Sequence, residues 1–233
     1  MPTGTESQEH YLSNGKTTII HRNGRHQYWL DDSTEKMPGV TAMLGHLDSG
    51  GFGVGMGWAI KQIKLHDGNT EAPRAVAKTA RDEGTRLHEA IHDYISKGIV
   101  DETYDLFVSW LNEVGNHTEW VASEKFLFHP TYKFGGTADA FSTHAVHDWK
   151  TKDAGSYAKY GGSLSDVAQL SAYAMALKAM GSTLARNKGY VSYVMRDGSG
   201  VDTVEVDLNL GWDLFKACYH LNSLVKEADR AKA

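Results

Sequence analysis

Alternating apolar and polar positions predict strands in three parts of the chain. Near the N-terminus, "TTIIHRNGRHQYWLDD" has two β-rich runs on either side of Asn23-Gly24, an arrangement typical of a tight hairpin. A second strand-rich part covers 120–151, and "GYVSYVMR" with "VDTVEVDL" predicts a further strand pair.

Helical spacing of apolar residues predicts helices between and after these strands. A turn at Pro38-Gly39 is expected to lead into a short helix capped by Thr41, and Gly181 is expected to end a later helix. A break is expected near Gly84, inside the longest helix. The longer predicted helices cover 58–66, 74–96, 102–114, 165–180 and 212–228.

Two glycine-bearing stretches are predicted to be irregular. "GGFGVGMG" (50–57) lacks the Gly-Lys-Ser/Thr ending of a phosphate-binding loop and is expected to be a hinge. "KDAGSYAKYGGSLSD" (152–166) is expected to be a mobile loop over an active site. The order of elements predicts a mixed α/β fold, with a central mixed β-sheet flanked by helices and a helical N-terminal decoration. One domain over 1–233 is expected, with a hairpin and mainly helical part at 1–115 and an α/β core at 116–233.

The composition narrows the class of protein. Hydrophobic residues make up 41% and charged residues 23%, which is typical of a globular chain. The sequence shows no apolar run of about 18 residues and no signal peptide, so no membrane association is expected. The single Cys218 excludes an internal disulfide framework and an iron–sulfur cluster held by four of the chain's own cysteines, which favours a reducing cytoplasm. The net charge of −5 gives no global basic field, so any DNA binding needs a local groove.

Two aspartates and a lysine interrupt the apolar strands of "GGTADAFSTHAVHDWKTK". If these strands pair around Thr143-His144, partner numbers sum to 287 and Asp139 lies opposite Asp148, with Lys150 on the same face. Opposed carboxylates repel unless a cation lies between them, either Lys150 or a hard divalent ion such as Mg²⁺ or Mn²⁺. The alternative is a solvated pair of acids with Lys150 as a salt-bridge partner. Small residues before Asp139 would let another group approach closely.

Several segments, by their order and spacing along the chain, resemble the PD-(D/E)XK nuclease superfamily. They are "GGTAD" ending at Asp139, "DWKT" at 148–151 and "QLSAY" at 169–173, with "MPGVTAML", "GTRLHEAIHDYI" and "ASEKFLF" upstream. The nearest resemblance is to the RecB-like exonuclease branch, which includes the mitochondrial genome-maintenance exonuclease and phage exonucleases. The matches extend over about 37–173, although the proline of the first motif is absent and Asp148 stands where glutamate is common.

The resemblance implies a restriction-endonuclease-like core and a metal-dependent DNA exonuclease. Such an enzyme would use one or two Mg²⁺ or Mn²⁺ ions at DNA ends or single strands, in replication, recombination or repair. The resemblance is compatible with a bacterial or phage-infected cytoplasm and with a phage origin. It is also compatible with a homo-oligomer and with a single-strand-annealing or replication partner. The alternative within the superfamily is a structure-specific DNA endonuclease.

The resemblance also implies roles for individual residues. His88, Asp139, Asp148 and the backbone carbonyl of Trp149 would hold the metal, and Lys150 would orient the attacking water or bind the phosphate. Gln169 and Tyr173 share one helix face and would hold the substrate or Lys150. Glu124 is either a further metal or water ligand or an exposed strand residue. The candidate DNA contacts are Arg81, Arg86, Lys152, Tyr157, Lys159 and Tyr160.

A different enzyme class is suggested by "HEAIH" at 88–92, which matches the zinc-protease pattern His-Glu-x-x-His. Here His88 and His92 would hold zinc, Glu89 would be the general base, and Glu113 or Glu119 would be the third ligand. The metzincin continuation is missing, because isoleucine is at position 95 and glycine at position 98. Helical geometry places His88 at the edge of the apolar face and turns Glu89 toward solvent. A binding module without catalysis is disfavoured, because the acids and the lysine are all present.

Overall fold

The computed structural model describes residues 5–48 and 54–232. The strands are β1 Glu6–Tyr11, β2 Thr17–Arg22, β3 Tyr28–Leu30, β4 Trp120–His129, β5 Phe134–Ser142, β6 Ala145–Lys152, β7 Lys188–Met195 and β8 Val201–Glu205. The helices are α1 Val40–Met43, α2 Gly45–Asp48, α3 Val54–Leu65, α4 Ala72–Lys97, α5 Asp105–Glu113, α6 Ala154–Tyr160, α7 Leu164–Ala179 and α8 Leu208–Ala231.

The larger sheet has five strands in the order β4-β5-β6-β7-β8. Its pairs are antiparallel except for β6 and β7, which run parallel and are joined through α6 and α7. This confirms the predicted mixed α/β fold with a central mixed sheet flanked by helices. A separate antiparallel sheet, in the order β1-β2-β3, adds strands to the N-terminal part, for which only the β2–β3 hairpin was predicted.

Side chains along each strand alternate between the two faces of the five-stranded sheet, so both faces carry apolar residues. Helices cover both faces. On one face, Val146 and Val191 belong to a core that includes residues of α7 and α8. On the other face, Trp149 and Val194 belong to a second core that includes Ile91 of α4 and residues of α5. The sheet is therefore the middle layer, and β6 lies in its centre.

The predicted register between β5 and β6 is confirmed. Ala140 is paired with His147 and Phe141 with Val146, so the partner numbers sum to 287. The chain reverses at Thr143 and His144, as the sequence predicted.

Other local predictions were wrong. Helix α4 continues through Gly84 without a break. The N-cap of α1 is Gly39, and Thr41 lies inside the helix without capping it. The stretch 152–166 contains helix α6, whose N-cap Asp153 accepts a hydrogen bond from the Ser156 backbone at 2.8 Å. Of the predicted hinge at 50–57, residues 50–53 lie outside the described residues and 54–57 belong to α3. In the described parts of the chain, no helix is both long and apolar enough to cross a membrane.

Candidate metal centre

Three neighbouring strands place three carboxylates in a row. On the β4–β5 side, Ser123 pairs with Ala140 and Lys125 with Ala138, so the residues between them, Glu124 and Asp139, lie opposite each other. On the other side of β5, the confirmed register directs Asp148 of β6 toward Asp139. This row of acids extends from the edge strand β4 to the central strand β6 and concentrates negative charge where one buried charge alone is already costly.

Helix α4 adds an imidazole to this row. The His88 Nδ1 atom lies 3.5 Å from Asp139 Oδ2, and its Nε2 atom lies 3.0 Å from the backbone carbonyl oxygen of Trp149. The same Asp139 Oδ2 accepts a hydrogen bond from the Trp149 backbone N–H at 3.2 Å. One ligand atom each from His88, Glu124 and Asp139 lie within 4.8 Å of one another, so we call these three residues the 88/124/139 cluster.

Glu124 is held in an unusual backbone conformation. Its φ angle is +51°, in the left-handed region, which costs a non-glycine residue about 1 kcal/mol or more. The Gln8 side chain from β1 stabilises this conformation on both sides. Its amide N–H donates to the Glu124 carbonyl at 2.7 Å, and its amide oxygen accepts from the Phe126 backbone N–H at 2.9 Å. Burial and the neighbouring Asp139 charge raise the pKa of Glu124 to about 7.

Asp148 is fully buried and has partners of its own. Its Oδ2 atom lies 2.6 Å from Lys150 Nζ, and its Oδ1 atom lies 3.4 Å from the Gln169 side-chain amide. Gln169 also donates to the Tyr173 hydroxyl at 2.9 Å, so the two α7 residues act as one unit beside the acid. Burial lowers the pKa of Lys150, but the surrounding carboxylates, Asp148 first, outweigh it and raise that pKa above its ordinary value. The contact with Asp148 therefore favours the ammonium form of Lys150.

The small residues before Asp139 do permit a close approach, but the groups that approach are two of the protein's own tyrosines. A Cβ atom on Gly135 would lie 2.3 Å from the Tyr28 ring, and one on Gly136 would lie 2.5 Å from the Tyr173 ring. These glycines therefore let aromatic rings from β3 and α7 pack directly on β5, next to the acids.

The cluster is open to solvent through two clefts. One, of about 700 Å³, extends toward the β2–β3 hairpin and α1; the other, of about 660 Å³, extends along α4. Both are lined by His88, Glu124 and Arg22. The Arg22 guanidinium, which was not among the predicted site residues, donates to Thr137 Oγ1 at 3.2 Å and to Glu6 at 2.6 Å. A substrate therefore has access to the carboxylates from two directions, past one arginine.

The predicted DNA contacts on the helices are scattered. Arg81 lines the 660 Å³ cleft and so lies near the cluster. The Arg86 guanidinium instead lies 3.5 Å from Asp101, which partly neutralises it. Lys159 and Tyr160 contact each other on α6, where Tyr160 is 72% exposed. Of this set, only Arg81 is placed beside the candidate centre.

Lys152 and Tyr157 are engaged within the protein. The Lys152 Nζ atom lies 3.3 Å from Asp166, and the Tyr157 hydroxyl donates to Asp202 at 2.7 Å. Lys152 also lines a smaller cleft with Gln169 next to the buried Asp148. A phosphate would have to compete with these internal acids, so both side chains contribute to the structure of this region.

The "HEAIH" residues lie on α4, and its two histidines have different partners. Leu87 and Ile91 are buried, and Glu89 is exposed as predicted. His88 belongs to the 88/124/139 cluster, whereas the His92 Nδ1 atom forms a 2.7 Å hydrogen bond with Ser123. Over 5–48 and 54–232, no group of three potential metal ligands contains His92, Glu113 or Glu119.

Comparison with known proteins gives only distant similarities. No protein-family model matches the chain, and no curated protein matches it either. A solved structure described as the crystal structure of SSO0001 is 18% identical, with 82% of this chain and 79% of that one covered and a TM-score of 0.38. The crystal structure of LHK-Exo in complex with dAMP is 13% identical, with 84% and 94% covered and a TM-score of 0.38. Similarity at this level assigns no function to the chain.

Proposed function

We propose that the protein is a metal-dependent DNA exonuclease that hydrolyses phosphodiester bonds from DNA ends. The observation that supports this most is the row of Glu124, Asp139 and Asp148 across three strands, with His88 above it and Lys150 beside it. Metal-assisted hydrolysis of a phosphodiester needs this combination of acids and a cation at an open cleft. We also propose that residues 1–233 form one domain with a restriction-endonuclease-like core.

The donor set fits a hard divalent cation. Two carboxylates and an imidazole converge in the 88/124/139 cluster, and carboxylate oxygens are the ligands that Mg²⁺ and Mn²⁺ prefer. His88, Glu124 and Asp139 would hold the ion, with Asp148 and the Trp149 carbonyl next to them. When bound, the ion supplies charge neutralisation at the phosphate and a nucleophilic water at neutral pH.

Lys150 and α7 supply the rest of the site. The Lys150 ammonium is half-buried and held by Asp148, so it is available to donate hydrogen bonds to the attacking water or to a phosphate oxygen as negative charge develops. Gln169 and Tyr173 fix the orientation of Asp148 from the opposite side. Because these partners already contact one another and are partly or fully buried, little reorganisation is needed when the substrate binds.

Mg²⁺ or Mn²⁺ is expected to raise the melting temperature of the wild-type protein but not that of Asp139→Asn. An ion present at a hundred times its Kd stabilises a protein by about 2.7 kcal/mol, which corresponds to a rise of about 5 °C or more for a chain of this size. Asparagine keeps an oxygen that can accept from the Trp149 backbone N–H, so the fold is expected to survive the change. Differential scanning fluorimetry with and without the ion measures this. Equal shifts in both proteins would place the ion elsewhere.

The proposed activity is tested by digestion of end-labelled linear DNA and covalently closed circular DNA. With Mg²⁺ or Mn²⁺, we expect linear DNA to be degraded and circular DNA to be spared. EDTA should stop the reaction. Cleavage of the circle would instead indicate the alternative, a structure-specific endonuclease. Full stability of both substrates, as single and double strands and with either ion, would contradict a nuclease function.

A further inference from the structure

A third cleft lies along the β2–β3 hairpin, next to the 700 Å³ cleft of the candidate centre. It has a volume of about 560 Å³ and shares Arg25 and Gln27 with the 700 Å³ cleft, which contains Glu124 and Asp139. The two clefts therefore meet at Arg25 and Gln27 of the hairpin. We call the third cleft the hairpin groove; it is lined by Asn23, Gly24, Arg25, Gln27, Trp29, Ser33, Thr34 and Lys36.

The hairpin groove differs in charge from the protein as a whole. Although the chain has a net charge of −5, the residues that line this groove include two cations, Arg25 and Lys36, and no acid. Both cationic side chains are exposed. The adjacent Glu35 is directed to another partner, because its carboxylate lies 3.6 Å from Lys133 Nζ. The lining of the groove is thus positively charged on a protein whose net charge is negative.

The remaining lining residues complete the chemistry of a nucleic-acid site. Trp29 is half-buried, and the Lys36 Nζ atom lies 5.7 Å from the centre of its ring. The side chains of Asn23, Gln27 and Ser33 carry uncharged hydrogen-bonding groups. Cations that contact phosphates beside an aromatic surface that contacts bases are the usual features of sequence-tolerant single-strand binding.

We infer that the hairpin groove binds the backbone of a single-stranded DNA segment whose end lies at the 88/124/139 cluster. The position of that end rests on the proposed nuclease function, whereas binding along the groove requires no catalysis. Arg25 lines both the groove and the 700 Å³ cleft, so it contacts the strand where it leaves the cluster, and Lys36 contacts it farther away. The Trp29 ring in the groove suits a single strand, whose unpaired bases are free to stack.

The test is the affinity of the full chain for a fluorescent 20-nucleotide oligothymidylate in EDTA, which prevents metal-dependent cleavage. Arg25→Ala/Lys36→Ala is expected to bind about tenfold more weakly than wild type. The slope of log K against log salt should fall by about 1.4, since each phosphate contact on a single strand contributes about 0.7. The matched control, Lys178→Ala/Lys226→Ala, also removes two exposed positive charges but on α7 and α8, and it should bind like wild type.

A small substrate separates this inference from the proposed function. With Mn²⁺, the p-nitrophenyl ester of thymidine 5′-monophosphate reaches only the cluster, so wild type and Lys36→Ala, whose changed residue lines the groove but not the 700 Å³ cleft, should hydrolyse it equally. The groove assignment would be overturned if wild type and Arg25→Ala/Lys36→Ala had the same oligothymidylate affinity and salt slope, or if wild type did not bind. This holds whether or not the protein hydrolyses the ester. A third outcome is weaker oligothymidylate binding by Arg25→Ala/Lys36→Ala, while wild type hydrolyses neither the small ester nor linear DNA. This outcome would support the groove and overturn the nuclease function.

Discussion

Asp148→Asn is expected to abolish DNA cleavage, with a loss in the single-turnover rate on the order of a thousandfold or more. The physical reason is the position of Asp148, which is fully buried between the Lys150 ammonium and the Gln169 amide. Asparagine has nearly the same shape but no charge, so it removes the negative partner of Lys150 and one acid of the proposed metal site. Asp139→Asn should have a comparable effect, because Asp139 belongs to the 88/124/139 cluster.

The measurement is the rate of release of labelled nucleotide from linear DNA, with enzyme in excess and Mn²⁺ present. Asp229→Asn, an exposed acid on α8, is the matched control and should keep the wild-type rate. DNA affinity in EDTA should remain measurable in both site variants, because the proposed phosphate contacts are Arg25 and Lys36. If either Asp139→Asn or Asp148→Asn retained most of the activity, that acid would have no part in catalysis.

The sequence predicted the centre of the fold well because strong patterns define it. Strands β5 and β6 alternate regularly and are separated by a short reversal at Thr143 and His144, so one register satisfied both faces and placed Asp139 beside Asp148. This register accounts for Asp139, Asp148 and Lys150, whereas Gln169 and Tyr173 were predicted from the resemblance to the nuclease superfamily. In the structure, contacts of 2.6–3.4 Å link Lys150 to Asp148, Asp148 to Gln169 and Gln169 to Tyr173.

Elements with few buried residues were missed for the converse reason. Only His10 of β1 is buried, and α6 buries no residue, so neither element has the apolar periodicity from which strands and helices are predicted. Thr41 was expected to cap α1 from its residue type, but the residue with extended backbone before the helix is Gly39. Gly84 lowers helix propensity, yet the packing of α4 against the sheet outweighs that cost.

The part of the site that the sequence left open depends on contacts between distant segments. Glu124 was equally consistent with a ligand and with an exposed strand residue, and its place beside Asp139 follows from the β4–β5 register. Its left-handed backbone is stabilised by Gln8, which is 116 residues away in sequence. Arg22 reaches the same region from β2. The sequence gives no local signal for such contacts, so they became visible only in the structure.

His88→Ala is expected to reduce DNA cleavage by about a hundredfold, the upper end of the loss that is typical when a group that orients a metal site is removed. The imidazole contacts both the Asp139 carboxylate and the Trp149 carbonyl, and alanine removes both contacts from the proposed metal site. Glu89, one residue farther along α4, is exposed and forms no part of the 88/124/139 cluster. Glu89→Gln is therefore expected to remain within several-fold of wild type.

His88→Ala and Glu89→Gln also distinguish a nuclease from the zinc protease that "HEAIH" suggests. A zinc protease of this pattern needs Glu89 as its general base, and both His88 and His92 as ligands. In the structure, however, His92 is hydrogen-bonded to Ser123, and His88 is directed to Asp139. We expect Mg²⁺ or Mn²⁺, and not Zn²⁺, to support activity, and His92→Ala to impair cleavage less than His88→Ala. Zinc-dependent peptide hydrolysis that disappears in Glu89→Gln, without nuclease activity in any metal, would replace the nuclease by a protease.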